Sequence, residues 1–136
     1  MGESINGKQI IKAESKSSLP VTYSSLALAY IGDAVYELMI RKMVLAEGNR
    51  QVNKLHREST SYVNAAAQAK LIESVLDELT DDEMAIYKRG RNAVSHTTPK
   101  NQSVADYRKA TGFEALVGYL HLSGDDERIR ELFFRE

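Results

Sequence analysis

Residues 26–40 read LALAYIGDAVYELMI, a helical pattern that is apolar on nearly every side. A helix of that kind is expected to bury most of its faces, so it needs neighbours all around it. Two residues near its middle work against such a setting. Gly32 costs ~1 kcal/mol in a helix relative to Ala, and a buried, unpaired Asp33 carboxylate costs several times as much. No Lys or Arg lies between Leu26 and Ile40 to serve as a local partner.

The same oddity recurs in residues 111–120, TGFEALVGYL, where Glu114 stands in an apolar run between Gly112 and Gly118. Small residues in both segments would let the two helices approach closely and set the carboxylates face to face. Two carboxylates at close range repel unless they share a proton or a cation. A hard divalent ion such as Mg²⁺ takes one or two protein carboxylates and completes its shell with water and phosphate oxygens. A pairing of Asp33 with Glu114 therefore points to a magnesium site.

The rest of the chain reads as helices as well. Ser24 and Ser25 can cap a first helix over Leu26 to about Ala46, and Gly48-Asn49 stops it. Val52 to Leu79 is helical, as one rod or as two with a bend near Ser59-Thr60-Ser61. Thr80 and Glu83 have the spacing of a capping box, which starts a helix running to about Asn92. Ser95 to Gln102 is a loop broken by Pro99. Ser103 and Asp106 start a helix from Val104 to Leu122, ended by Ser123-Gly124, and Asp125 to Glu136 forms a short terminal helix. No segment alternates with the two-residue period of a strand, so the class is all-α, a helical bundle.

One domain accounts for 136 residues, of which 43% are hydrophobic, enough for a packed core. Residues 1–20 read as a loose N-terminal arm and 21–136 as the folded domain. The chain has no Cys, which excludes disulfides and thiolate metal sites. No apolar run approaches a membrane span of ~20 residues, and the arm lacks a secretory signal. The expected location is the cytoplasm, with no membrane partner.

Net charge is only −1, but it is unevenly spread. Between Lys88 and Lys109 stand Lys88, Arg89, Arg91, Lys100, Arg108 and Lys109, against Asp106 as the one acid. Such a segment offers a patch for a polyanion. Next to a magnesium site, the natural substrate is a phosphodiester. Other chemistries lack their residues: there is no phosphate-binding GxxxxGK[ST] or GxGxxG loop, no HExxH and no GxSxG. His56, His96 and His121 lie far apart, and His121 reads as a helix end. His56 and Tyr62, in LHRESTSY, are candidates to line a substrate groove.

LAYIGDAVYEL resembles the signature segment of the ribonuclease III catalytic domain, and TGFEALVGYL resembles its second acidic segment. Together with KRGRNA and TTPKN, these segments resemble the Mini-III ribonucleases, the branch that has the catalytic domain without a double-stranded-RNA-binding domain. Only about a dozen residues follow Gly124, too few for that second domain. The resemblance implies a homodimeric, Mg²⁺-dependent endoribonuclease that cuts double-stranded RNA, one strand per subunit. It implies as substrate the duplex formed by the ends of the 23S ribosomal RNA precursor, with a ribosomal protein or pre-ribosomal particle as a further partner. Asp33 and Glu114 would be the catalytic metal ligands. Lys88, Arg89, Arg91, Lys100, Asn101 and His56 would hold the RNA. Ordinary ribonuclease III has two further acids where this chain has Ala29 and Thr111, and Thr111 becomes the candidate to hold a metal-bound water. Two rival readings stay open: a non-catalytic RNA-binding ribosome-assembly factor on the same fold, and an interaction protein whose acids pair with Arg or Lys from another helix.

Overall fold

The computed structural model describes residues 22–93 and 103–135. The arm expected over 1–20, the loop over 95–102, and with it Lys100 and Asn101, lie outside the described residues. The elements are α1 (Ser25–Ala46), α2 (Val52–Thr60), α3 (Ala65–Glu73), a 3-10 turn (Leu76–Glu78), α4 (Asp81–Asn92), α5 (Val104–Leu122) and α6 (Asp126–Phe133). No strand occurs among the described residues.

Local chemistry sets the ends of these helices. Ser24 caps α1 by accepting from the Ala27 amide at 3.1 Å. The expected bend after Thr60 is a full break, because Asn64 starts a new helix by accepting from the Ala67 amide at 2.9 Å. Both halves of the Thr80–Glu83 capping box form. α5 stops in a Schellman motif: Asp125 N–H donates to Leu120 O and Gly124 N–H to His121 O, each at 2.9 Å, with Gly124 at φ 77°. Gly is the residue that adopts that conformation without a Cβ penalty.

α5 is the axis of the bundle. Ala110, Gly112, Phe113, the run Ala115–Gly118 and Leu120 are all buried, since α1, α3, α4 and α6 surround it. α1 buries a stripe at helical spacing, Leu28, Ala29, Gly32, Tyr36, Ile40 and Val44. In the core the Tyr36 and Phe113 rings meet edge to face with centroids 4.8 Å apart, and Phe113 meets Phe133 in the same manner.

The opposite side of α1 departs from expectation. Leu26, Tyr30, Leu38 and Leu45 are exposed, Tyr30 at 79% and Leu38 at 59%. The helix is apolar all round, yet within one chain only part of its circumference finds a neighbour.

α2 is polar, with only Ser59 buried. A hub at Arg50 ties it to α1: the guanidinium donates to Val44 O at 2.9 Å and Gly48 O at 3.2 Å and pairs with Glu58 at 2.7 Å. A second hub ties α6 to α4. Arg128 spans both oxygens of Glu83 at 2.9 Å, donates to Glu78 O at 2.9 Å and also pairs with Glu131. Glu83 is only 5% exposed. Burial pushes its carboxyl up, but the bonds from Arg128 and Thr80 outweigh that and hold it below its ordinary value. An acid whose folded pKa is lowered stabilises the protein above its ordinary pKa, and the contribution is lost as pH falls through the folded value. Arg128→Ala should therefore cost about 3 kcal/mol at pH 7 by stranding a buried charge. Urea melts at pH 7 and pH 3 check both points: the variant should lose less than the wild type on acidification.

Candidate active site

Two glycines bring the acids together. A Cβ on Gly32 would lie 1.7 Å from the Glu114 carbonyl oxygen, and one on Gly118 would lie 2.0 Å from the Leu28 carbonyl oxygen. The backbones of α1 and α5 are thus in direct contact, a packing open only to residues without side chains. Asp33, the neighbour of Gly32, and Glu114 project at this crossing with their carboxyls within hydrogen-bonding reach.

The pair is not deeply buried on both sides. Glu114 is half-buried, whereas Asp33 is exposed, which corrects the expectation of two buried carboxylates. The reason is the exposed outer face of α1, at whose edge Asp33 stands. Burial, then the hydrogen bond with Asp33, then the negative charge of Asp33 push the Glu114 carboxyl up to about 8. The shift favours the protonated form of Glu114 beside the Asp33 carboxylate when no cation is bound.

Neither acid takes part in any ion pair among the described residues. The Arg or Lys partner that the interaction-protein reading requires is thus not found among the described residues. Two hard oxygen donors facing each other at a partly open site fit a divalent ion such as Mg²⁺. No group of three or more His, Cys, Asp or Glu suited to a metal occurs among the described residues. Ala29 is 7% exposed and packs with Leu28, Ile86 and Ala115, so apolar core stands where ordinary ribonuclease III has an acid. The Thr111 hydroxyl donates to the Tyr107 carbonyl at 2.9 Å, which leaves its oxygen able only to accept.

α4 approaches α5 at the same level as α1, from another side. A Cβ on Gly90 would lie 2.8 Å from the Ala115 Cβ and 3.3 Å from the Thr111 carbonyl oxygen. The last turn of α4 therefore carries its basic residues alongside the segment that contains Glu114. Lys88 and Arg89 are exposed, and Arg91 is half-buried with its guanidinium 5.6 Å from the Tyr87 ring centroid. Lys109, in the same basic stretch, is taken up by Glu73 at 3.1 Å. His56 is exposed on α2, which packs mainly on α1. His121 accepts its helix-end role, bonded to Asp126 at 2.8 Å.

The ribonuclease III domain, as a family model, matches residues 26–125, the segment from the first turn of α1 to the N-cap of α6. The chain belongs to the ribonuclease III family. Within it, the chain is 53% identical over 111 residues to the Mini-ribonuclease 3 of Enterococcus faecalis, covering 80% of this chain and 84% of that one. It is 51% identical to the Mini-ribonuclease 3 of Streptococcus pneumoniae, over 80% of this chain and 87% of that one. The Mini-ribonuclease 3 of Clostridium tetani is 43% identical over 127 residues, 93% of this chain and 81% of its own. A protein of Fusobacterium nucleatum solved by X-ray crystallography superposes with a TM-score of 0.77 at 32% identity, covering 83% of this chain and 90% of that one. Mini-ribonuclease 3 is thus the branch to which the sequence and the helical fold belong, and its activity is that of an RNA endonuclease.

Two features around this site lie outside the expectations set by the sequence. Glu37 lies four residues after Asp33, on the same face of α1, and pairs with Arg41 at 2.5 Å; the i, i+4 spacing could have flagged it. Arg50, which fixes α2 against α1, gave no signal in the sequence.

Proposed function

We propose that the chain is a homodimeric, Mg²⁺-dependent endoribonuclease that cuts both strands of double-stranded RNA, acting on the duplex formed by the ends of the 23S ribosomal RNA precursor. The observation that supports the reading is the facing Asp33 and Glu114 pair, which has no ion-pair partner among the described residues. Bound there, Mg²⁺ supplies a concentrated positive charge and an activated water for attack at phosphorus.

The chain's own groups divide the remaining work. Asp33 and Glu114 hold the ion, and Glu114 gives up its proton to do so. Lys88, Arg89 and Arg91 on α4, with Lys100 and Asn101 beyond it, bind backbone phosphates, so affinity falls steeply with salt. A-form RNA is recognised mainly by shape, phosphates and 2′-hydroxyls, and contacts of this kind place a duplex without reading much sequence. The apolar outer face of α1, with Tyr30 and Leu38 exposed on the helix that carries Asp33, supports a second copy packed there, which would bring two cutting sites together, one per strand. None of the described helices is long and apolar enough to cross a membrane.

The test is a long RNA duplex incubated with wild type and with Asp33→Asn, in Mg²⁺ and in EDTA. Cleavage by the wild type in Mg²⁺ alone, lost in the variant, is the expected result. If both proteins bind the duplex and leave it intact, the reading gives way to a non-catalytic ribosome-assembly factor.

A further inference from the structure

One turn from Asp33 along α1, a small cavity of about 100 Å³ opens between α1 and α2, lined by Glu37, Arg41, His56, Ser59, Thr60 and Val63. Its polar groups are arranged unevenly. The Glu37 carboxylate and the Arg41 guanidinium neutralise each other at 2.5 Å. Thr60 and Ser59 spend their hydroxyl protons on the Arg57 and Leu55 carbonyls, at 2.8 and 2.9 Å, and so present oxygens that can only accept. The His56 ring has no hydrogen bond or ion pair among the described residues. The cavity therefore combines acceptor oxygens with a free imidazole that can donate or accept, and has no surplus charge beyond that ring.

This chemistry selects among the parts of a nucleotide. A phosphate would meet the Glu37 carboxylate with the only guanidinium already neutralised, so it is disfavoured. A base would need an aromatic surface to stack on, and the lining has no Phe, Tyr or Trp. A ribose 2′-hydroxyl, which both donates and accepts, matches the lining and the volume. The Arg50 hub holds α2 on α1, so the cavity is formed before any ligand arrives.

We propose that the cavity between α1 and α2 is a ribose subsite, in which His56 and Thr60 bind the 2′-hydroxyl of a nucleotide flanking the cut and so position RNA in preference to DNA. The proposal rests on the reading of Asp33 and Glu114 as the cleavage centre, with the subsite one helical turn, ~5.4 Å, further along the same helix. In this scheme His56 is a binding residue that acts through a hydroxyl, not through phosphate charge.

A coupling experiment tests it. RNA duplexes carrying one 2′-deoxy nucleotide, scanned over the two positions on either side of the cut, are given to wild type, His56→Ala and His56→Gln. For wild type, one position should slow cleavage roughly tenfold, the worth of a single hydrogen bond that orients the strand. His56→Ala should cut the all-ribose duplex roughly tenfold more slowly and show no further loss on the deoxy substrate. His56→Gln, which keeps a donor, should recover part of both the rate and the deoxy penalty. Ca²⁺ titration of His56→Ala should match wild type, which separates the subsite from the metal pair. Penalties that multiply independently, or an unchanged rate for His56→Ala, overturn the subsite alone. A wild type that cuts no duplex overturns the cleavage centre and the subsite together.

Discussion

Glu114→Gln should slow RNA cleavage severely while making the metal-free protein more stable at pH 8. Both effects come from the same pair of carboxyls. With Glu114 pushed up to about 8 from an ordinary value near 4.5, the folded protein binds a proton that the unfolded chain releases. An acid with a raised folded pKa therefore costs stability progressively as pH climbs from its ordinary value to its folded one. Gln keeps the shape and the hydrogen bond to Asp33 and has no charge to bury. At 1.36 kcal/mol per pKa unit the full shift is an upper bound. Since the site is partly open to solvent, a gain on the order of 2 kcal/mol at pH 8 is expected. At pH 5 the gain should nearly vanish. Turnover should fall by roughly a thousand-fold, about 4 kcal/mol of barrier, if Glu114 is one of two metal ligands as proposed. Thermal melts in EDTA at pH 5 and pH 8, paired with a cleavage assay, check the two effects. Retained cleavage would remove Glu114 from the reaction.

Gly32→Ala should be the most damaging single methyl group in the chain. Ala favours a helix over Gly by ~1 kcal/mol, so propensity alone would make the change stabilising. Packing decides the sign, since the new carbon would fall 1.7 Å from the Glu114 carbonyl oxygen and 2.8 Å from the Gly118 nitrogen. These are main-chain atoms that no rotamer change can move aside. α1 and α5 must separate, at a cost of about 3 kcal/mol or more. The same movement draws Asp33 away from Glu114. Urea denaturation should show the loss of stability, and calorimetric Mg²⁺ titration the weakened binding. A variant as stable and as competent in metal binding as wild type would contradict the direct backbone contact.

What the sequence disclosed about these features depends on how local the governing interaction is. Caps and stops are local: Ser24, Thr80 with Glu83, Ser103 and Gly124 all act within a few residues, and their spacing shows in the string. The glycines near Asp33 and Glu114 were legible because their helix-breaking cost needed an explanation, and close helix approach is that explanation. Burial of Asp33 was misjudged on the same segment. A helix apolar all round predicts cover on every side, whereas Tyr30 and Leu38 are exposed; a sequence pattern reports that a face wants cover, not whether its own chain supplies it. Arg50 and Arg128 gave no signal. Arg128 reaches Glu83 across 45 positions, and nothing in either neighbourhood marks the other.

The contact between α1 and α5 also bears on how the enzyme dies. The spacing of Asp33 and Glu114 is set by main-chain atoms at the centre of the bundle, not by a loop that can open by itself. Fraying of α2, which buries only Ser59, leaves that spacing untouched, and parting α1 from α5 takes apart the core around Tyr36 and Phe113. Loss of the Asp33–Glu114 pairing and loss of the fold are therefore one event, with no stage at which an intact scaffold carries a scrambled pair.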